Sequence, residues 1–224
     1  MKNLLLTLGL LVGIAGATNA QTGVKYGLKG GFNGATFFGT DSEGSEYKAG
    51  FAAGGFLNFG ISDLFSIQPE LLYSQKGASV DNFQGVSGTT FKSTLGYLDV
   101  PIMLRVTAGD DGKGPFFEAG PQGSVVLHNR DFIQIGGNDT QSTKNTSTDD
   151  LNKVVIGYVA SIGYQLTSGL TLGLRYSGDI SQVYKDGASR AYPFKAGSAQ
   201  LDGNNPNVHN SVFQFQVAYG FGGQ

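Results

Sequence analysis

Between Leu95 and Val106 the chain reads Leu-Gly-Tyr-Leu-Asp-Val-Pro-Ile-Met-Leu-Arg-Val. Leu98, Val100, Ile102, Leu104 and Val106 share one parity; Tyr97, Asp99, Pro101, Met103 and Arg105 share the other. Successive side chains of a strand point to opposite faces, so this stretch has one oily face and one face carrying an acid and a base. No helix puts the same residues on two clean faces, and few folds tolerate such a strand at this length.

The same alternation recurs along the chain. Apolar parities run through Val24–Phe32, Phe51–Phe59, Phe65–Tyr73, Phe117–Leu127, Val154–Leu166, Leu170–Tyr176 and Phe213–Phe221. With the opening stretch this predicts eight strands, each longer than the usual five or six residues. The connections alternate in length. Gly39–Lys48, Gly77–Ser93, Asn129–Asn152 and Lys185–Asn210 are long and polar, whereas Gly60–Asp63, Gly109–Gly114 and Thr167–Gly169 are short. In an antiparallel meander all long loops then lie at one end, and both termini lie with the short turns at the other.

Composition narrows the setting. Charged residues make up 14% of the chain, against about 25% in ordinary soluble domains. Sixteen Phe and ten Tyr exclude a disordered chain. The absence of Cys removes disulfides and thiolate metal sites, and a net charge of −2 argues against a nucleic-acid partner. Lys2, the apolar run Leu4–Ile14 and the small residues of Thr18-Asn19-Ala20 read as a secretory signal peptide over residues 1–20, leaving 21–224 as one barrel domain.

The expected fold is all-β: a closed antiparallel up-and-down transmembrane barrel of about eight strands, its long loops extracellular and its termini periplasmic. A tilted strand of about 9–11 residues crosses a bilayer, and ring closure leaves no unpaired edge in lipid. A soluble eight-stranded barrel would instead need a Lys- and Glu-rich exterior. Here the polar parity is mostly Gly, Ser and Gln, which suits a cramped interior. Pro69, Pro101 and Pro121 fall within strands and lack a donor, so each is expected to mark a bulge or a missing ladder bond.

Lys29-Gly30-Gly31-Phe32-Asn33, the run Gln68–Gly77, Tyr97-Leu98-Asp99-Val100-Pro101 and Leu174-Arg175-Tyr176-Ser177 resemble the PorT-like outer-membrane β-barrel family, the porin-like "outer membrane protein beta-barrel domain" proteins of certain Gram-negative bacteria. The resemblance implies an outer-membrane barrel of about eight strands and no single activity. PorT itself is tied to a protein-secretion system. Many such barrels end on Phe, whereas here Gly222-Gly223-Gln224 follow Phe221.

Inward parity collects Lys25, Lys29, Glu70, Lys76, Asp99, Arg105, Glu118 and Arg175. Unpaired charges in a narrow interior are expensive, so Lys29, Glu70, Asp99, Arg105, Glu118 and Arg175 are expected to interlock as a lumen charge network. Arg105 and Glu118 are expected to face each other low in the barrel, with Glu70, Asp99 and Arg175 near mid-height. His128 shares the inward parity of Glu118 and Ser124. His128 and His209 lie toward the long loops, where Asp131, Asp149 or Asp150 could join them, but no spacing enforces a catalytic or metal geometry.

The chain is therefore expected to be a non-enzymatic structural or surface-interaction protein with a filled interior and no cofactor, metal or catalytic residues. The alternatives are a narrow porin or a transport or secretion component for small solutes, and a membrane-embedded hydrolase. Outer-membrane lipid is the expected partner of a monomer, with other envelope proteins left open.

Overall fold

The computed structural model describes residues 24–82, 87–109, 113–135, 144–166, 169–188 and 206–221. Ten strands make up most of it: β1 (Lys25–Phe38), β2 (Lys48–Gly60), β3 (Phe65–Lys76), β4 (Ser79–Asp81), β5 (Thr89–Thr107), β6 (Gly114–Ile135), β7 (Lys144–Asn145), β8 (Val154–Gln165), β9 (Leu170–Asp179) and β10 (His209–Phe221). Eight of them are long staves in the order β5-β3-β2-β1-β10-β9-β8-β6, and β6 pairs back onto β5. All pairings are antiparallel, and β1 meets β10 from Tyr26↔Phe221 to Phe38↔His209. The sheet is a closed up-and-down barrel, and closure removes the free edges that an open sheet would present.

The wall has the expected two faces. Leu28 and Phe32 on β1 are 63% and 78% exposed, whereas Lys29 and Asn33 between and beyond them are buried. Ile102 and Leu104 face out while Asp99, Met103 and Arg105 face in. The outward row continues through Ile156, Ile162, Leu174, Phe213 and Phe215. A continuous apolar belt of this extent suits lipid and not water.

The prolines interrupt the ladders without moving them. Pairing passes from Phe56↔Glu70 to Phe59↔Ile67 around Pro69, and from Pro101↔Gln122 to Leu104↔Ala119 around Pro121, in unchanged register. The missing N–H groups remove ladder bonds and nothing more.

The true slip lies elsewhere. Between Gly96↔His128 and Tyr97↔Val126 the β5–β6 register shifts by one residue, which makes Leu127 a bulge. Leu127 and His128 are consecutively exposed, and Asn129 and Asp131 are buried beyond them. The inward expectation for His128 is thereby corrected: the extra residue turns its ring to the outer face.

Two stretches expected as loops are partly sheet. Gly77–Ser93 contains β4 and the start of β5, and Asn129–Asn152 contains the end of β6 and the short β7. As a result β5 has 19 residues and β6 has 22, and their hairpin overhangs the staves around it. The Thr, Ser and Asn of these stretches looked like loop composition. In the sheet, Ser93 donates to Asp131 (2.8 Å), and Phe91 and Leu95 are buried inward. β4 pairs with β5, and β7 with Asp131 and Phe132 of β6.

Candidate functional site

The buried ionisable groups of the described residues gather in the barrel interior, which is built in three tiers. The tier nearer the short turns is held by Lys29 of β1, Gln68 and Glu70 of β3, Arg105 of β5, Glu118 of β6 and Arg175 of β9, all at most 6% exposed. Alternation sends each of these side chains inward, and antiparallel pairing brings them to one height; Arg105 and Glu118 are direct register partners. Lys29 Nζ donates to Glu70 Oε1 at 2.5 Å and approaches Glu118 Oε1 at 3.4 Å. Arg175 Nη2 donates to Glu70 Oε2 at 2.7 Å and lies 3.5 Å from Glu118. Arg105 is 3.7 Å from Glu118, donates to Gln165 Oε1 at 2.7 Å and stacks its guanidinium 3.9 Å over the Phe116 ring. Gln68 Nε2 donates to Glu70 at 2.9 Å. Such charges are tolerable away from water only because several hydrogen bonds satisfy each one.

The second tier lies nearer the long loops. Lys76 Nζ reaches Asp99 at 3.1 Å and Asp179 at 3.6 Å, and lies 4.6 Å from the centre of the Tyr97 ring. Ser124 donates to Asp99 at 2.6 Å, and Asn210 Nδ2 donates to Asp179 at 2.7 Å and to the Tyr97 hydroxyl at 3.2 Å. The expected grouping of Asp99 with Glu70 and Arg175 is corrected here. The long stem of Lys76 lets its ammonium take Asp99 into a separate cluster. Ser124 also accepts from Lys76 at 3.2 Å; a serine beside a lysine suggests a nucleophile, but this hydroxyl is only 1% exposed and its proton is committed to Asp99.

The third tier is apolar. Phe37, Ala78, Val80, Phe91, Leu95, Val126, Leu151, Val155, Val183, Tyr184, Ala188 and Val208 form one cluster with Tyr97 above the lysine tier. Leu151 and Val208 come from stretches expected as polar loops, and Val183 and Tyr184 lie just before one, where so few apolar residues give little signal. Tyr184 is thus a lid residue. Asn152 ties the lid strands together by donating to the carbonyls of Gln182 (2.9 Å) and Tyr184 (3.0 Å).

Of the residues expected in the network, Lys29, Glu70, Arg105, Glu118 and Arg175 share the first tier, and Asp99 belongs to the second. Lys25 sits nearer the short turns, lining a cavity there with Arg105 and Gln68. Asp179 is an addition to the expected set: the apolar alternation read over Leu170–Tyr176 continues to the end of β9, and the parity of Arg175 turns Asp179 inward. The histidines are held apart. His128 shares a hydrogen bond with the Tyr73 hydroxyl (2.9 Å), and His209 Nδ1 with the Ser181 carbonyl oxygen (3.0 Å) while its ring stacks on Phe38. Among the described residues no group of three His, Cys, Asp or Glu side chains is placed to hold a metal ion.

Solved structures similar to the chain include Neisserial surface protein A, 14% identical, covering 88% of this chain and 97% of that one with a TM-score of 0.43. Ail, the attachment invasion locus protein of Yersinia pestis, is 10% identical over 88% of this chain and 98% of its own, with a TM-score of 0.47. OprG from Pseudomonas aeruginosa is 9% identical over 91% and 99%, with a TM-score of 0.44. Among curated proteins none matches the chain in sequence. The model of the outer membrane protein beta-barrel domain matches residues 19–184, and the chain belongs to that family of outer-membrane barrels.

Proposed function

We propose that this protein is a non-enzymatic outer-membrane barrel with an occluded interior, serving a structural or surface-interaction role. The observation that carries the reading is the lumen itself: two cross-linked tiers of buried charge beneath an apolar lid. A barrel of about eight strands has an interior just wide enough for side chains to fill, and this one fills it with groups that hold one another. In this reading residues 1–20 direct export and are removed. The short turns and termini face the periplasm, and the overhanging β5–β6 hairpin and the lid face outward, where loops carry specific contacts. The barrel sits in outer-membrane lipid as a monomer. Its Gln68–Gly77 and Tyr97–Pro101 motifs favour the PorT-like branch of the family.

The test is electrical. Protein refolded in detergent and added to a planar bilayer is expected to leave a flat baseline once heat-modifiable gel mobility shows that it has folded. A stable conductance of porin size would overturn the occluded reading in favour of transport.

A further inference from the structure

At the short-turn end the barrel opens into a cavity of about 840 Å³. Its wall carries Lys25 of β1, Asn58 of β2, Ser66 of β3 and Thr171 of β9, and Gln68, Arg105 and Gln165 line it where it meets the first charged tier. We propose that this vestibule is a binding site for small oxyanions, of the carboxylate or phosphate class.

The charges inside the barrel are sorted along its axis. In the tier adjoining the cavity, three cations (Lys29, Arg105, Arg175) face two carboxylates (Glu70, Glu118), so one positive charge is left over. In the tier beneath the lid, one lysine faces Asp99 and Asp179, so one negative charge is left over. The excess positive charge thus lies on the cavity side. Lys25 adds a second cation to the wall, and Asp63 on the β2–β3 turn is the one carboxylate among the described lining residues. Low-dielectric walls focus such a field into the cavity.

Arg105 supplies the specific contact. Its guanidinium is held edge-on by Gln165 and flat by Phe116, but its nearest carboxylate is 3.7 Å away, beyond a good charge-assisted hydrogen bond. A planar fork with donors to spare is the group best matched to a carboxylate or phosphate. Gln165 commits its oxygen to Arg105, which leaves its amide N–H groups as donors to a guest. The inference rests on the cavity and its charges and is the same whichever way the barrel lies in the membrane.

The test is calorimetric titration of the folded full chain in neutral detergent at low salt, with inorganic phosphate and succinate as probes. Both are expected to bind. Lys25→Gln, a change on the cavity wall outside the ion-pair tiers, is expected to weaken binding by about threefold or more, as loss of one charge near a shared anion implies. Arg105→Lys keeps the charge but loses the fork and is expected to weaken succinate further. Asp63→Asn is expected to tighten both. Absence of binding by the folded wild type, or binding untouched by Lys25→Gln and Arg105→Lys, overturns the proposal.

Discussion

The Tyr73 hydroxyl and His128 Nε2 meet at 2.9 Å on the outer wall, their rings stacked with centroids 6.1 Å apart. They meet only because the Leu127 bulge turns His128 outward and Gly96 leaves the ring a place to lie; a β-carbon at Gly96 would overlap the imidazole. Gly96→Val is therefore expected to displace His128 and cost about 1–3 kcal/mol. Tyr73→Phe removes only the hydrogen bond and is expected to cost about 0.5–1.5 kcal/mol. Urea unfolding in lipid vesicles measures both. A Gly96→Val variant as stable as the wild type would show that the glycine seat is irrelevant.

Glu118 is within ion-pair range of Lys29, Arg105 and Arg175 at once. Glu118→Gln strands positive charge in a buried tier and is expected to destabilise the barrel by about 3–5 kcal/mol. Adding Arg105→Gln to that variant removes one of the stranded cations. The double variant is expected to be less destabilised than the sum of the two singles, and strict additivity in the unfolding free energies would contradict the coupling.

In the upper tier the imbalance has the opposite sign. Lys76→Met leaves Asp99 and Asp179 facing each other with no cation, again at a cost of about 3–5 kcal/mol. Replacing both aspartates by asparagine in the same chain is expected to recover much of that loss, because it removes the uncompensated charge rather than restoring a bond. Thermal unfolding followed by gel mobility reads the difference, and a triple variant no better than Lys76→Met would refute it.

The lid offers a test away from charge. Leu151 is fully buried against residues from several loops. Leu151→Ala is expected to cost about 2–4 kcal/mol locally and to make the connections around Lys153 and Lys185 more readily cut by trypsin, while the staves stay intact. A cleavage rate equal to that of the wild type would mean that Leu151 does not hold the lid down.

Much of this molecule can be read from its sequence because a strand repeats every two residues. The positions of Lys29, Glu70 and Arg175 follow from parity alone, and the facing of Arg105 and Glu118 follows from counting out from one short turn. The Leu127 bulge is different in kind. One inserted residue, with no Gly or Pro beside it, reverses every later side chain of β6 and leaves no mark in composition; the prolines, which do stand out, shift nothing. The lid is equally silent, since Leu151, Val208 and the pair Val183-Tyr184 are short apolar interruptions in polar stretches and become a core only once the ring brings their segments together. Parity and height set Asp99 beside Glu70 and Arg175, yet its ion pair is with Lys76, because height along a strand fixes a Cα whereas a lysine stem carries its charge well past it.

The seam between β1 and β10 joins nearly the most distant residues of the barrel, Tyr26 and Phe221. Until β10 is in place the sheet has two bare edges and an oily exterior, so no shorter piece of the chain is a satisfactory product. Contacts of such high sequence separation also form slowly. A chain built this way has no finished intermediate: its sheet is complete only when the last strand pairs with the first.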